Sequence, residues 1–393
     1  LAGSLSLPEI SLEIVPKFIL DPANLNAWNA STLFLLEALA GRHVVSIAAE
    51  RQQWKSHHIL DLIANAFADA AERGLREQRI QVYRQSEESS VVLRGRLNLP
   101  RQLRNLVRAP HLLECDVDQL DAENAFNDVL KWAATILARS AREQTLRARL
   151  DSIANTVPGD ANRSAAFRHL RLLPPPQFRA WTDALQLARL LACGQTFSNV
   201  GGRTSGYSLL FNMERAFERF VEYGLARTLR KRGGIALTAH RQEWARYALP
   251  DGGGIRPLGC RPDNVVKRNG VPVLIVDAKY KLLEDEFSGN DDNRAAPTST
   301  DIYELLAGML AHRCTLGLLV YPGATDPQRF DSPTRTWVID SFGTKLRVGA
   351  VPVNLLSLRS RADVDRALAH LGQQIANFES GAAPTEVSRL QVA

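Results

Sequence analysis

The stretch that most constrains this chain runs from Arg261 to Lys281. Val273-Leu274-Ile275-Val276 is an apolar, mostly β-branched run that leads straight into Asp277-Ala278-Lys279. Such a run reads as a buried strand. Side chains two apart in a strand share a face, so Asp277 and Lys279 leave it on one side. Asp263 stands upstream, just after Pro262. An Asp…Asp-X-Lys set suits metal-dependent phosphodiester hydrolysis: two carboxylates hold a hard cation such as Mg2+, and a lysine orients or deprotonates the attacking water.

Whether the two acids meet depends on the link between them, Lys267-Arg268-Asn269-Gly270-Val271. A two-residue Asn-Gly loop pairs Arg268 with Val271 and sets Asp263 opposite Val276. Asp263 and Asp277 then point to opposite sides of the sheet. A three-residue loop, Arg268-Asn269-Gly270, pairs Lys267 with Val271 and sets Asp263 opposite Ile275, with Asp277 its diagonal neighbour on the same face. Gly270 suits the left-handed third position of that loop. With no further bulge, only the three-residue loop brings the acids together, and it is the register expected.

Two further acidic positions bear on the site. Glu218 borders the apolar stripe Met213, Phe217, Phe220, Val221, Leu225 of a helix expected near 208–231. It reads either as a carboxylate delivered to the metal site or as one more charge beside Glu214 and Glu222. Asp301-Ile302-Tyr303-Glu304 reads as a helix start, with Asp301 at the N-cap and Glu304 closing a capping box. Between the strand and this helix, residues 283–299 form an acidic loop. No GxxxxGK[ST] occurs, which excludes a nucleotide site of that type. Gly252-Gly253-Gly254 is loop, since it leads into no helix and Pro257 interrupts the region.

At 393 residues two domains are expected. No apolar run reaches the roughly 18 residues of a membrane span. The four cysteines are scattered without a CxxC pair, which argues against a structural zinc or a disulfide framework and for a reducing cytoplasm. The opening residue, Leu1, suggests a fragment or a trimmed product. Net charge is +6, compatible with nucleic acid but modest. Its distribution says more: Arg94, Arg96, Arg101, Arg104 and Arg108 fall in 15 residues (94–108) without an acid. That is either a solvated basic face or a contact surface.

Along the chain, residues 4–18 alternate as short strands with a turn at Pro8-Glu9, and 26–80 turn helical. Val91-Val92-Leu93 reads as a strand ending at Gly95, 122–149 as one long helix, and 161–171 and 177–193 as further helices. Gly194 to Tyr207 has loop composition. Beyond it, strands near 235–248, 260–267, 271–280, 315–321, 335–341 and 345–353 alternate with helices near 301–312 and 361–378, the last capped by Ser360. The reading is mixed α/β. An N-terminal α+β domain spans 1–195, a linker 196–207 and a second domain 208–380, followed by a disordered tail, 381–393.

Several of these segments together resemble the McrC family, the nuclease subunit of modified-cytosine-dependent McrBC restriction systems. Leu12-Glu13-Ile14-Val15-Pro16-Lys17 is similar to its I-x-I-x-P-K segment and Leu93-Arg94-Gly95-Arg96 to its L-x-G-R. Glu123, Asn127 and Leu130 resemble its D-x-x-x-N-x-x-L, with glutamate in place of aspartate. Phe217-Glu218-Arg219-Phe220-Val221 resembles L-F-E-x-F-V. Arg261-Pro262-Asp263 and Asp277-Ala278-Lys279-Tyr280-Lys281 resemble R-P-D and D-A-K-Y-K. The resemblance implies a PD-(D/E)xK nuclease fold in the C-terminal half, and an N-terminal half that docks on a hexameric AAA+ GTPase, McrB. It implies Mg2+ held by Asp263 and Asp277, with Glu218 and the Ala278 carbonyl, Lys279 as the catalytic lysine and double-stranded DNA as substrate. The family's glutamine and, four residues on, tyrosine of the following helix are here Glu304 and Gly308. An added carboxylate or a lost phosphate contact there would alter metal use or activity.

Overall fold

The computed structural model describes residues 2–6, 11–18, 31–36, 59–162, 174–193, 207–230, 235–238, 242–248, 255–281, 297–323, 335–341, 343–358, 360–381 and 387–388. The expected turn at Pro8-Glu9, most of the 161–171 helix, Gly252–Gly254 and nearly all of the 196–207 linker and 283–299 loop lie outside them. The chain divides into two compact units, Leu60–Ala192 and a second made of Leu1–Ile59 with Cys193–Ala393. The first 59 residues thus group with the C-terminal part, where the sequence reading places them in an N-terminal domain ending at 195.

In chain order, β1 (Ala2–Ser6) and β2 (Ser11–Ile14) come first. There follow α1 (Ile59–Glu77), β3 (Val82–Ser90), β4 (Arg96–Leu97), α2 (Leu99–Asn105) and β5 (Leu113–Asp121). Next are α3 (Ala125–Ser140), α4 (Gln144–Thr156) and α5 (Thr182–Cys193). Then come β6 (Tyr207–Phe211), α6 (Met213–Arg230), β7 (Ile235–Thr238), β8 (Gln242–Ala248), β9 (Ile255–Cys260), β10 (Asn264–Arg268) and β11 (Val271–Ala278). The last are α7 (Ser299–Ala311), β12 (Leu316–Gly323), β13 (Arg335–Ser341), β14 (Thr344–Asn354), α8 (Arg361–Ser380) and β15 (Val387–Ser388).

The larger unit is mixed α/β. Its main sheet has the order β15-β13-β14-β12-β11-β10-β7, with β11, β12 and β14 running parallel. The parallel strands at its centre are apolar almost throughout, as strands covered on both faces must be. On one face, Val265, Ile275, Leu319 and Tyr321 pack with Leu305 and Met309 of α7. A Cβ added to Gly317 would lie 2.4 Å from Met309 Sδ, so glycine lets α7 close on the sheet. On the other face α8 packs on β14, where a Cβ at Gly349 would lie 2.8 Å from Phe378. α6 joins α8 at Gly224, where a Cβ would meet Leu368 at 2.6 Å. Ser360 caps α8 in a full capping box with Asp363.

Residues 207–211 are a strand, where the sequence pattern reads as the start of a helix. β6 pairs antiparallel with β1, from Tyr207↔Ser6 to Phe211↔Ala2, closing the small sheet β2-β1-β6. A partner some 200 residues away overrides the local pattern. Asn212 then accepts from Arg215 N at 3.1 Å and starts α6. At the other end, Val387–Ser388 adds a short edge to β13 where the sequence pattern predicts a structureless tail.

Unit Leu60–Ala192 holds the sheet β3-β5-β4 and helices. The expected helix over 122–149 is two. Ser140 Oγ bonds back to Ile136 O and Leu137 O at 3.1 Å, and Ala141 turns extended before α4 begins. Asn127, buried, donates to Ile80 O at 3.0 Å and Ala122 O at 2.7 Å, tying the start of α3 to the ends of neighbouring segments. Val91-Val92-Leu93 is not strand. It forms the exposed connection after β3, closed by Gly95 at φ +65°, where a Cβ would lie 2.4 Å from Asp116 O.

Candidate active site

The β10–β11 hairpin turns on two residues, Asn269 (φ 52°) and Gly270 (φ 82°), with Arg268 opposite Val271. Both central residues take positive φ, as the tightest hairpin turn requires. The expected three-residue loop is therefore not formed. The acids nevertheless converge, because Lys267 pairs with Pro272 and Val266 with Leu274, leaving Val273 as an extra residue. This bulge shifts the ladder by one, so that Asn264 faces Val276 and the next positions outward are Asp263 and Asp277. Pro272 supplies the reason: it has no N–H for a regular ladder, and proline inside a strand pair belongs at bulges.

Asp263 Oδ2 accepts the backbone N–H of Ala278 at 2.8 Å, so the carboxylate lies against the end of β11. Asp277 is 8% exposed, and its Oδ2 lies 2.8 Å from Lys279 Nζ. Burial, then the charge of Asp277, raises the Asp263 carboxyl well above the ordinary carboxylate range; the Ala278 N–H opposes this. Glu218 on α6 is half-buried, and its carboxyl is raised by burial, then by Glu214 and by Asp277. It therefore stands within the field of the pair. Among the described residues no group of three or more His, Cys, Asp or Glu is arranged to hold a metal ion. Two crowded carboxylates, Asp277 buried and Asp263 half-buried, still fit a hard divalent cation, which would relieve their mutual repulsion. Mg2+ completes its shell with water and substrate oxygens.

Lys279 is half-buried among three neighbours. Its N–H donates to Val320 O at 2.9 Å, holding it in line with β12, and its ammonium bridges Asp277 and Glu304 of α7. Burial works against the charge, but Asp277 and Glu304 outweigh it and hold the ammonium above the ordinary lysine range. Glu304 does not close a capping box. α7 starts at Ser299 with Thr298 as its cap, Thr298 Oγ1 accepting from Asp301 N at 3.4 Å. Asp301 lies one turn in, buried, bonded to Lys281 and Tyr321. Gly308 faces Ile275 and Pro262, where a Cβ would make ordinary contact with Ile275 Cγ2 and Pro262 Cβ at 3.4 Å.

Residues from distant segments meet at Tyr280. Its ring packs edge-on against Phe18 (centroids 6.3 Å apart) and at a tilt against Phe217 (6.1 Å). The segment ending in Pro16-Lys17-Phe18, the α6 segment around Glu218 and the Asp277–Lys281 exit thus share one cluster. Sequence reasoning missed the contacts of Lys281, Asp301 and Tyr321. A second lysine two after Lys279, and a second acid three before Glu304, are the signals that could have found them.

The family profile described as "McrBC 5-methylcytosine restriction system component" matches residues 1–322. No curated protein matches the chain. Among solved structures, the chain is similar to one in the refined half-complex from the tetradecameric assembly of Thermococcus gammatolerans McrB AAA+ hexamers with bound McrC. The identity is 18%, the TM-score 0.59, and 96% of this chain and 82% of that chain are covered. A cryo-EM structure of the Thermococcus gammatolerans McrBC complex is similar over 58% of this chain and 66% of that chain, at 19% identity and TM-score 0.44. At 18% identity the first of these likenesses is one of fold. With the profile spanning more than three quarters of its length, the chain belongs to the family of McrBC 5-methylcytosine restriction system components.

Proposed function

We propose that this chain is the Mg2+-dependent DNA endonuclease subunit of a McrBC-like restriction system, with a PD-(D/E)xK nuclease fold in the larger unit. It cleaves modified-cytosine DNA in the cytoplasm when assembled with a hexameric AAA+ GTPase whose hydrolysis it stimulates. The observation that supports this most is the bulge at Val273, which turns Asp263 and Asp277 toward each other beside Lys279. Asp263 and Asp277 would hold Mg2+, with Glu218 and the Ala278 carbonyl as further candidates. Bound there, the ion would supply the Lewis acidity that phosphodiester hydrolysis needs. Lys279, held as an ammonium by two carboxylates, orients water or steadies charge on the phosphate rather than taking a proton. Cleavage of 5-methylcytosine DNA by wild type and Asp277→Ala, with partner, Mg2+ and GTP, tests the reading; equal cutting would sink it.

The surface of α2 favours the partner half of the proposal. Leu99, Leu103 and Leu106, four and three residues apart, share one helix face and all point outward, Leu103 being 67% exposed. The inward side is polar: Arg101 meets buried Glu114 at 2.6 Å, and Gln102 Oε1 accepts Glu114 N at 2.7 Å. This inverted polarity, beside exposed Val91, Val92, Leu93 and Val107, suits a protein partner. Two of the five clustered arginines serve the unit itself, Arg101 with Glu114 and Arg94 with Glu88. Arg96, Arg104 and Arg108 remain exposed for partner or DNA.

A second reading makes the chain a non-catalytic adaptor that activates an AAA+ NTPase. It is favoured by Glu304, which engages the catalytic lysine where the family has a neutral glutamine. It predicts that Asp277→Ala leaves NTPase stimulation intact and that the complex never nicks DNA with any divalent metal.

A further inference from the structure

Two ion-paired rungs join the exit of β11 to α7. On the outer rung, Lys281 Nζ lies 2.7 Å from Asp301 Oδ2 and donates to Thr298 Oγ1 at 2.9 Å. Tyr321 OH donates to the same Asp301 oxygen at 2.8 Å. The inner rung is Lys279, shared between Asp277 Oδ2 at 2.8 Å and the Glu304 carboxylate. Asp301 and Glu304, three apart, lie on one side of the helix, so the outer rung, anchored on buried Asp301, sets where Glu304 stands.

The two acids of the inner rung differ in kind. The Asp277 side chain is 11% exposed and the Glu304 side chain 58%. With Asp277 as its sole anion, the Lys279 ammonium would compete with a divalent cation for the same oxygens. Turning Asp277 to the cation would then leave a largely buried ammonium unpaired, which is costly. Glu304 removes that conflict by giving the ammonium a second anion.

We propose that Glu304 is a positioning residue that shares the Lys279 ammonium with Asp277, so that Asp277 can turn to a divalent cation while the lysine stays in place. The proposal rests on Asp277 being a metal ligand. A glutamine at 304 accepts a hydrogen bond but carries no charge, and the ammonium falls back on Asp277.

The test is calorimetric titration of the 393-residue chain with Mg2+ alone, without DNA, for wild type, Glu304→Gln, Lys279→Met and the double variant. Glu304→Gln weakens Mg2+ about fivefold, the upper end for a partly exposed ion pair. In the Lys279→Met background the same change has an effect within about twofold. Equal losses in both backgrounds would mean that Glu304 acts on the cation directly, and no loss in either would make it a bystander; both overturn the proposal. Asp277→Asn separates the premise from the inference. If Asp277→Asn binds Mg2+ as wild type does, or wild type binds none, the metal-ligand reading fails and takes the proposal with it. Binding that depends on Asp277 but not on Glu304 overturns the proposal alone.

Discussion

Asp263 and Asp277 come together across a two-residue turn because one residue, Val273, is surplus to the ladder between them. Without that residue the same turn would send the two carboxylates to opposite faces of the sheet. The chemistry of the site therefore depends on a backbone irregularity in the hairpin, away from every side chain that would touch the metal or the substrate.

Deleting Val273 tests that dependence. From Ile275 onward β11 is pinned to β12, with Ile275 opposite Gly317 and Asp277 opposite Leu319. The missing residue must be absorbed in the hairpin, by a slip of β10 or an opened turn, and Asp263 leaves Asp277. Cleavage falls by about a hundredfold or more, while far-UV circular dichroism stays that of the folded chain. Full cleavage by the deletion variant would mean that the register is not what brings the acids together.

The outer rung carries a pH signature. Burial raises the Asp301 carboxyl, but Lys281 and Tyr321 outweigh it and the net shift is downward from 3.8. A depressed folded value means that the stabilisation is complete above the unfolded value and is lost as pH falls through the lower folded one. Asp301→Asn therefore lowers stability at neutral pH, by about 2 kcal/mol once the partial exposure of Lys281 is allowed for. It should also flatten the acid limb below about pH 4. Urea unfolding midpoints from pH 2.5 to 7 for the two proteins decide it. Parallel curves would deny Asp301 that role.

Gly308 and Gly317 face the same helix–sheet interface and should respond oppositely to alanine. At Gly308 a Cβ makes ordinary contacts at 3.4 Å, and helix propensity favours alanine by up to about 1 kcal/mol. At Gly317 the Cβ would lie 2.4 Å from Met309 Sδ and 2.9 Å from Leu305 Cδ2, an overpacking cost of about 1–3 kcal/mol. Thermal melts of the two variants should bracket wild type. Gly308→Tyr would push α7 off Pro262 and Ile275 and destabilise by more than Gly317→Ala.

The outward face of α2 gives a binding prediction. Leu103→Asp and the pair Arg104→Glu, Arg108→Glu alter exposed side chains and leave the melting point nearly unchanged. Each should weaken assembly with the AAA+ partner, read by size-exclusion chromatography, and lower its GTPase stimulation in proportion. Undiminished assembly and DNA binding by both variants would remove α2 from the interface.

Much of this was legible in the residues themselves. The apolar run into Asp277-Ala278-Lys279 announced a buried strand and its polar exit, because burial and period-2 alternation are local properties. Ser360 announced a cap for the same reason. What stayed hidden depends on partners far along the chain. Tyr207–Phe211 is a strand only because Ala2–Ser6 lies beside it. Asp301 reads as a cap until Lys281 and Tyr321 are seen to hold it. The hairpin is the intermediate case. The residues allowed a two- or a three-residue loop, and convergence of the acids favoured the longer one. The chain instead takes the tight Asn269-Gly270 turn, and a bulge at Val273, visible only in the pairing, supplies the shift.

The most direct measurement is cleavage of 5-methylcytosine DNA with Mg2+, GTP and the AAA+ partner, tracking GTP hydrolysis in the same reactions, for wild type and Asp277→Ala. Loss of cutting by Asp277→Ala, at least about a hundredfold, with GTPase stimulation retained, is the predicted result. Equal cutting by the two proteins would contradict the site, and no cutting by wild type with any divalent metal would leave the chain an activator alone.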